Sequence, residues 1–278
     1  MDSFSVNQKK TLHIRSNSLP SKPHPIATQV DEHLCRLKSS EATSSLSHRL
    51  SSLQDLHGCI DELLLLPFTQ KTLVRERENK GVDSLLEESL KVLDLCDIAK
   101  DALLQTKECV RELESVLRRR RGESVIANEL KKCSSSRKLI KKTIHKALKG
   151  IKRKCSKQCE ENSATVSLLN EVEAVTYSTV ESVLFFIAGQ KLISKLSPWS
   201  LVSKLVQPKR VACKDEDEVD MLDAILYAIA SHTTDKSFNL HDPLRKFESC
   251  IQELEDDLES LQKHLIRNRV SLLNILNH

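Results

Sequence analysis

Residues 82–117 read VDSLLEESLKVLDLCDIAKDALLQTKECVRELESVL, and residues 118–157 continue RRRRGESVIANELKKCSSSRKLIKKTIHKALKGIKRKCSK. In the first part Leu85, Leu86, Val92, Leu93, Cys96, Ala99, Leu103, Val110, Leu113 and Leu117 fall toward one side, with Asp, Glu, Lys and Arg opposite. Apolar residues at three- and four-residue steps are the mark of a helix with one buried face. A helix of about 35 residues at 1.5 Å per residue is roughly 50 Å long, which sets the long dimension of the domain. In the second part Ile126, Leu130, Cys133, Ile140, Ile144, Ala147 and Ile151 keep the same spacing. Gly122 permits a turn between the two, so the spacing predicts an antiparallel helical hairpin.

The rest of the chain follows the same pattern. Only five glycines and seven prolines occur in 278 residues, and aromatic residues make up 3%. Strands favour aromatic and β-branched clusters, whereas this chain is rich in leucine, lysine, glutamate and serine, so helix is expected almost throughout. The expected fold is all-α: an elongated antiparallel bundle of long amphipathic helices with a C-terminal heptad helix. Residues 1–29 hold three prolines, several serines and almost no apolar periodicity, which cannot offset the entropy of ordering a backbone. They read as a disordered tail, followed by a single helical domain over 30–278.

Within that domain a short helix is expected over Val30–Lys38, and a longer one ending at Leu66. The longer one places Leu46, Leu50, Leu53, Leu56 or His57, Ile60 and Leu63 or Leu64 on one face. Pro67 ends it, and Thr69–Glu78 reads as a connecting helix. Ser163–Ile193 is apolar on most sides in its later part and reads as the most buried element. Trp199 lies in a segment bounded by Pro198 and Pro208, and the acidic run Asp215–Glu218 leads into a helix around Met221–Ala230. In the last helix Asp242 reads as N-cap and Pro243 as the first helical residue. Leu244, Phe247, Ile251, Leu254, Leu258, Leu261, Leu265, Asn268, Leu272 and Ile275 then alternate between steps of three and four, a heptad seam with one polar position. Such a seam serves either an internal bundle helix or a homodimeric coiled coil.

Nine cysteines without a C-x-x-C pair argue for a reduced, intracellular protein and against a disulfide framework or structural zinc. Cys155 and Cys159, one turn apart, read as two helical thiols. The most apolar run, Val183–Ala188, is far short of the ~20 residues that span a bilayer. A cytoplasmic or nuclear location follows, with peripheral membrane association left open, and no secretion.

Charge is unevenly spread. Between Arg118 and Lys157 sixteen Lys or Arg face two acids, whereas between Asp215 and Glu259 fourteen acids face three bases. The basic residues are Arg118, Arg119, Arg120, Arg121, Lys131, Lys132, Lys141, Lys142, Lys152, Arg153 and Lys154 with their neighbours. Three readings are open: neutralisation by the acidic stretch of the same chain, a protein partner, or an anionic membrane surface. Nucleic acid is disfavoured, because no aromatic interleaves with the basic run to stack on bases. In the tail, Arg15, Ser16, Ser18 and Pro20 match the R-S-x-S-x-P pattern read by 14-3-3 proteins once Ser18 is phosphorylated. No glycine-rich phosphate loop, H-E-x-x-H, G-x-S-x-G or paired catalytic carboxylate is recognisable, and His57 and His264 read as packed or solvent-facing. The chain therefore reads as non-enzymatic, with no cofactor or metal.

Three blocks carry a family resemblance: His13–Pro25 (HIRSNSLPSKPHP), Leu46–Leu56, and Asp94–Arg121. Together with the helices after them they resemble the plant-specific domain-of-unknown-function family 241, grouped with BYPASS-related proteins, over nearly the whole chain. The resemblance implies a part in root and shoot development and carries no catalytic residues across. One departure lies at Lys80-Gly81-Val82, where the resemblance leads to an aromatic residue.

Overall fold

The computed structural model describes residues 24–40, 44–78, 80–119, 122–150, 163–189, 226 and 241–277. Among them the fold is all-α, with seven α-helices. The first, α1 (Pro25–Ser40), starts five residues before the expected boundary. Proline is pre-organised for a first helical turn, and Ile26 joins Val30, Leu34 and Leu37 on one buried face. Residues 25–29, expected in the tail, are therefore helical, and residues 1–23 lie outside the described part.

Helix α2 (Leu46–Leu65) is capped by Ser45, whose hydroxyl accepts from the His48 amide at 3.2 Å. Its end is dictated by Pro67, which pushes the preceding Leu66 into extended backbone (φ −69°, ψ 129°). Helix α3 (Pro67–Arg75) and a 3-10 turn (Glu76–Glu78) lead into α4 (Lys80–Arg118) and, past Gly122, α5 (Glu123–Gly150). Helix α6 (Ala164–Ile187) is capped by Ser163 and ends on Gly189, whose φ of 65° is the left-handed turn that glycine makes without a Cβ penalty. That end lies six residues before Ile193. The last helix, α7 (His241–Asn277), begins two residues early, so Asp242 sits in its first turn instead of capping it. There its carboxylate still faces the positive end of the helix dipole. The Trp199 segment, the acidic run and all but Leu226 of the Met221–Ala230 stretch lie outside the described residues, as do Cys155 and Cys159.

Cross-helix hydrogen bonds give the directions. Ser47 bonds Asp257, Gln54 bonds Ser260 and His57 bonds Asn268, so α2 and α7 run parallel. Arg111 bonds Glu248, Lys107 bonds Glu255 and Lys100 bonds Gln262, so α4 runs antiparallel to α7. Arg49 reaches Ser182 and Thr179 while His57 reaches Thr176, so α6 is antiparallel to α2. Helix α5 folds back on α4, and α1 packs on α2.

The core lies where α2, α4, α6 and α7 converge, with Leu50, Leu53, Leu56, Leu103, Leu113, Val180, Leu184 and Leu258 fully buried. All ten seam residues of α7 are buried within the single chain, packed mainly against α2 and α4. Val82, at the departure noted above, is itself buried, so a small apolar side chain fills that place.

Each buried leucine contributes about 1.5–3 kcal/mol relative to exposure. Leu50→Ala and Leu258→Ala should each lower the unfolding free energy by about 2–5 kcal/mol, because a cavity is added to the lost transfer energy. Leu104→Ala, at an exposed position of α4, should stay within about 0.5 kcal/mol. Urea denaturation of the three variants checks the contrast.

Candidate functional site

The bundle interior is not wholly apolar. Helix α6 presents Thr176, Thr179 and Ser182 at helical spacing toward α2, and all three are buried. Each hydroxyl lies within donating reach of a carbonyl four residues earlier, Val172, Val175 and Ser178 respectively, and Thr179 and Ser182 satisfy their protons there and leave their lone pairs for a neighbour. Helix α2 uses them. The buried Arg49 guanidinium donates to Ser182 Oγ and Thr179 Oγ1, both at 3.3 Å, and two turns on, His57 Nε2 lies 2.9 Å from Thr176 Oγ1.

His57 joins this seam to α7. Its Nδ1 lies 2.7 Å from Asn268 Oδ1, and Asn268 Nδ2 donates to the His57 carbonyl at 3.3 Å and to Asp61 Oδ1 at 2.6 Å. The other Asp61 oxygen accepts from Arg267 at 3.3 Å and faces His264 Nδ1 at 3.6 Å. Because the Asn268 amide nitrogen is committed as donor twice, its oxygen must be the acceptor facing His57, which puts the neutral ring's proton on Nδ1. Nε2 is then an acceptor and takes the Thr176 hydroxyl. If the ring gains a second proton, Nε2 becomes a donor, and that hydroxyl must turn wholly to the Val172 carbonyl, 2.8 Å away. Burial holds the His57 imidazole neutral: it lowers the pKa to about 4, against the upward pull of the Asn268 hydrogen bond and with a small added repulsion from His264.

Helix α7 presents a charged flank to α4. The buried Lys107 ammonium bonds Glu255 at 2.6 Å and also Gln252, and Arg111 bonds Glu248 at 2.5 Å. Gln262 accepts from Lys100 at 3.1 Å and donates to Asp97 at 2.5 Å. These acids belong to the acidic stretch, yet their partners are on α4, N-terminal to the basic block.

The basic block lies mostly on the outside. Arg118, Arg119, Lys131, Lys132, Lys138, Lys142, Lys146 and Lys149 are exposed and Lys141 is half-buried. Lys132 pairs with Glu129 on its own helix. Arg137 is the exception: it is buried and donates to the Ile187 carbonyl at 3.0 Å, a cation at the negative end of α6. Arg120, Arg121, Lys152, Arg153 and Lys154 lie outside the described residues, as do Arg15, Ser16, Ser18 and Pro20.

In the sequence Asn268 stands out as the polar seam position and His57 reads as a packed or solvent-facing histidine. Nothing in the sequence marks Arg49, Asp61 or Thr176 as their neighbours. Threonines and serine at steps of three within an apolar helix were the available signal. A surface cleft between α3 and the end of α7 is lined by Pro67, Gln70, Lys71, Val74, Arg75, Asn274 and Ile275. Among the described residues that line it, the ionisable side chains are the cations Lys71 and Arg75.

The geometry is that of an all-helical protein whose buried polar groups bond to one another across helices. The model of the family described as Protein BPS1 matches residues 49–275, from α2 to the end of α7. The chain belongs to that family, the BYPASS-related plant proteins, and membership suggests a role in plant development. No curated protein and no solved structure matches it. Among the described residues no helix is long and apolar enough to cross a membrane.

The depressed His57 pKa has a defined sign. Between about 4 and the ordinary 6.5 the unfolded chain binds more protons than the fold. The contribution is complete above pH 6.5 and is lost as the pH falls through about 4, amounting to about 3 kcal/mol. His57→Gln removes this titration. The stability gap between wild type and variant, from urea denaturation at pH 7, 5 and 4, should narrow by about that amount, and parallel profiles would refute the assignment.

Proposed function

We propose that the chain is a non-catalytic helical scaffold acting in plant development, with the outer face of α5 as its recognition surface for an acidic protein partner. The supporting observation is the position of the charge. Lys131, Lys138, Lys142, Lys146 and Lys149 line exposed turns of α5, while the acids Glu248 and Glu255 are engaged by α4. A surface of like charges raises the local concentration of an oppositely charged partner and speeds its docking. The second component of the reading is the tail: phosphorylation of Ser18, three residues after Arg15 and two before Pro20, adds a near-dianion that 14-3-3 proteins accept in a basic groove.

A second reading, peripheral binding to anionic lipid through the same face, draws support from Leu139. It is 61% exposed amid the lysines, and an apolar side chain on a basic helix can enter the headgroup boundary. Nuclear, cytoplasmic and membrane-peripheral locations are all compatible with such a surface.

The combined variant Lys131→Glu, Lys138→Glu, Lys142→Glu, Lys146→Glu should keep its helical circular dichroism. It should lose at least tenfold in affinity for partners captured from plant tissue, with binding that weakens between 50 and 500 mM salt. Sedimentation with phosphatidylserine vesicles at 50 mM salt separates the readings: cosedimentation abolished by Leu139→Ala favours lipid, and absence of cosedimentation favours protein. For the tail, Ser18→Ala should abolish capture of 14-3-3 proteins from plant extract, as should phosphatase treatment. Undiminished capture by Ser18→Ala would refute the tail reading.

A further inference from the structure

Helices α4 and α5 carry opposite charge on their uncovered sides. On α4, Glu87, Asp94, Asp101 and Glu108 recur at intervals of seven residues, and all four are exposed. Seven residues make close to two helical turns, so the carboxylates lie along one stripe, about 32 Å from first to last. Leu90 and Leu104, 47% and 46% exposed, lie on the same side. Asp83 and Asp97 are exposed there too. Among the described residues of α4 before Arg118, Arg111 is the one exposed base, and Glu248 of α7 already holds it. From Lys131 to Lys149, α5 contains no acid, and its exposed lysines run along a face about 27 Å long that also carries Leu139.

The fold keeps these two surfaces apart within one chain. Cys133, Arg137, Ile140 and Ile144 form the buried side of α5, the side that packs on α4 and α6, and the lysines project from the other side. The carboxylates of α4 emerge where α5, α6 and α7 leave that helix uncovered. Each stripe therefore presents unopposed charge to solvent, and the two match in length, oppose in sign and each include exposed leucine. A second copy of the chain brings the complement that the first cannot supply to itself.

We propose that the acidic partner of α5 is α4 of a second copy of this chain, so that the protein self-associates through an α4–α5 contact. The inference rests on the reading of α5 as a surface for an acidic protein, and it says which protein. Complementary stripes steer the encounter and fix which surfaces meet. Single exposed ion pairs are weak, so the contact needs several of them in register, with Leu90, Leu104 and Leu139 removed from water between them. The contact is heterologous, because the two stripes differ: a copy whose α5 is occupied still offers its α4 stripe to another, and association extends beyond two chains. Such an assembly forms with concentration and comes apart in salt.

The test is light scattering on the full chain. At about 50 mM salt the mass should rise above the 31.5 kDa monomer as the concentration goes from about 1 to about 100 μM. It should return to the monomer at about 500 mM salt, where the screening length is about 4 Å. Two charge-reversed chains decide which surfaces meet. One carries Glu87→Lys, Asp94→Lys, Asp101→Lys and Glu108→Lys, the other Lys131→Glu, Lys138→Glu, Lys142→Glu and Lys146→Glu. Each alone should stay monomeric, having like charge on both stripes, and an equimolar mixture should associate, because the stripes that meet between the two chains are again opposite in sign. Carbodiimide coupling of wild type needs no variant to fold. With unlabelled and isotope-labelled chains mixed, it should yield mixed-label peptide pairs, one water lighter than their sum, that join an α5 lysine to an α4 carboxylate. Wild type that stays monomeric at about 100 μM and 50 mM salt overturns the proposal, whereas capture of another acidic protein, lost in the α5 variant, would still uphold the reading of α5. Association undiminished in either charge-reversed chain overturns the proposal as well.

Discussion

Asn268 constrains the bundle more than any apolar residue does. A seam of leucines can slide by one turn and bury nearly the same area, but the amide of Asn268 is satisfied only where the His57 ring, the His57 carbonyl and Asp61 stand. Displacing α7 by a turn along α2 would leave that amide and the His57 ring buried without partners, at a cost of about 1–3 kcal/mol for each group. The single polar heptad position therefore specifies register inside one chain, as such positions do between chains of coiled coils. Once α7 is registered on α2, His57 also registers α6 through Thr176.

The α4 flank is set by a different interaction. Lys107 is buried, so its ammonium must be paired, and Glu255 and Gln252 supply that pairing. Arg111 with Glu248 repeats the arrangement nearer the surface, where screening makes the pair worth less. Arg269 closes the other end by bonding the Leu86 carbonyl and Ser89 Oγ, the latter at 2.7 Å. Polar contacts on both flanks of α7 thus select one helix arrangement among the many that the apolar faces alone would allow.

The helices were legible because their signals are local. Pro67, Gly122 and the heptad steps each act within a turn or two of chain, and the Leu244–Ile275 seam is buried within the single chain. Boundaries slipped where a local rule was applied too strictly: Pro25 opens a helix instead of closing a tail, and Asp242 lies inside the first turn instead of capping it. What could not be read was partnership across helices. Arg49, Arg137 and Lys107 look like surface cations in sequence, and only packing shows that hydroxyls, a carbonyl and a carboxylate await them in the interior.

The same distinction governs the basic block. Counted along the chain, the acidic stretch from Asp215 to Glu259 is large enough to neutralise it. Placed in the fold, five of the described acids of that stretch have other neighbours. Glu248 and Glu255 meet α4, Asp257 meets Ser47 of α2, and Asp256 and Glu259 bond Gln252 and Lys263 of their own helix. Coulomb attraction at this ionic range fades beyond about 8–10 Å, so a charge balance computed over sequence means little unless the helices are adjacent. Helix α5 packs on α4 and α6, and the latter offers it, at Ile187, a carbonyl for Arg137. One cation of the block is thereby turned inward to hold the helix down, and the lysines around it are left facing outward by the same rotation.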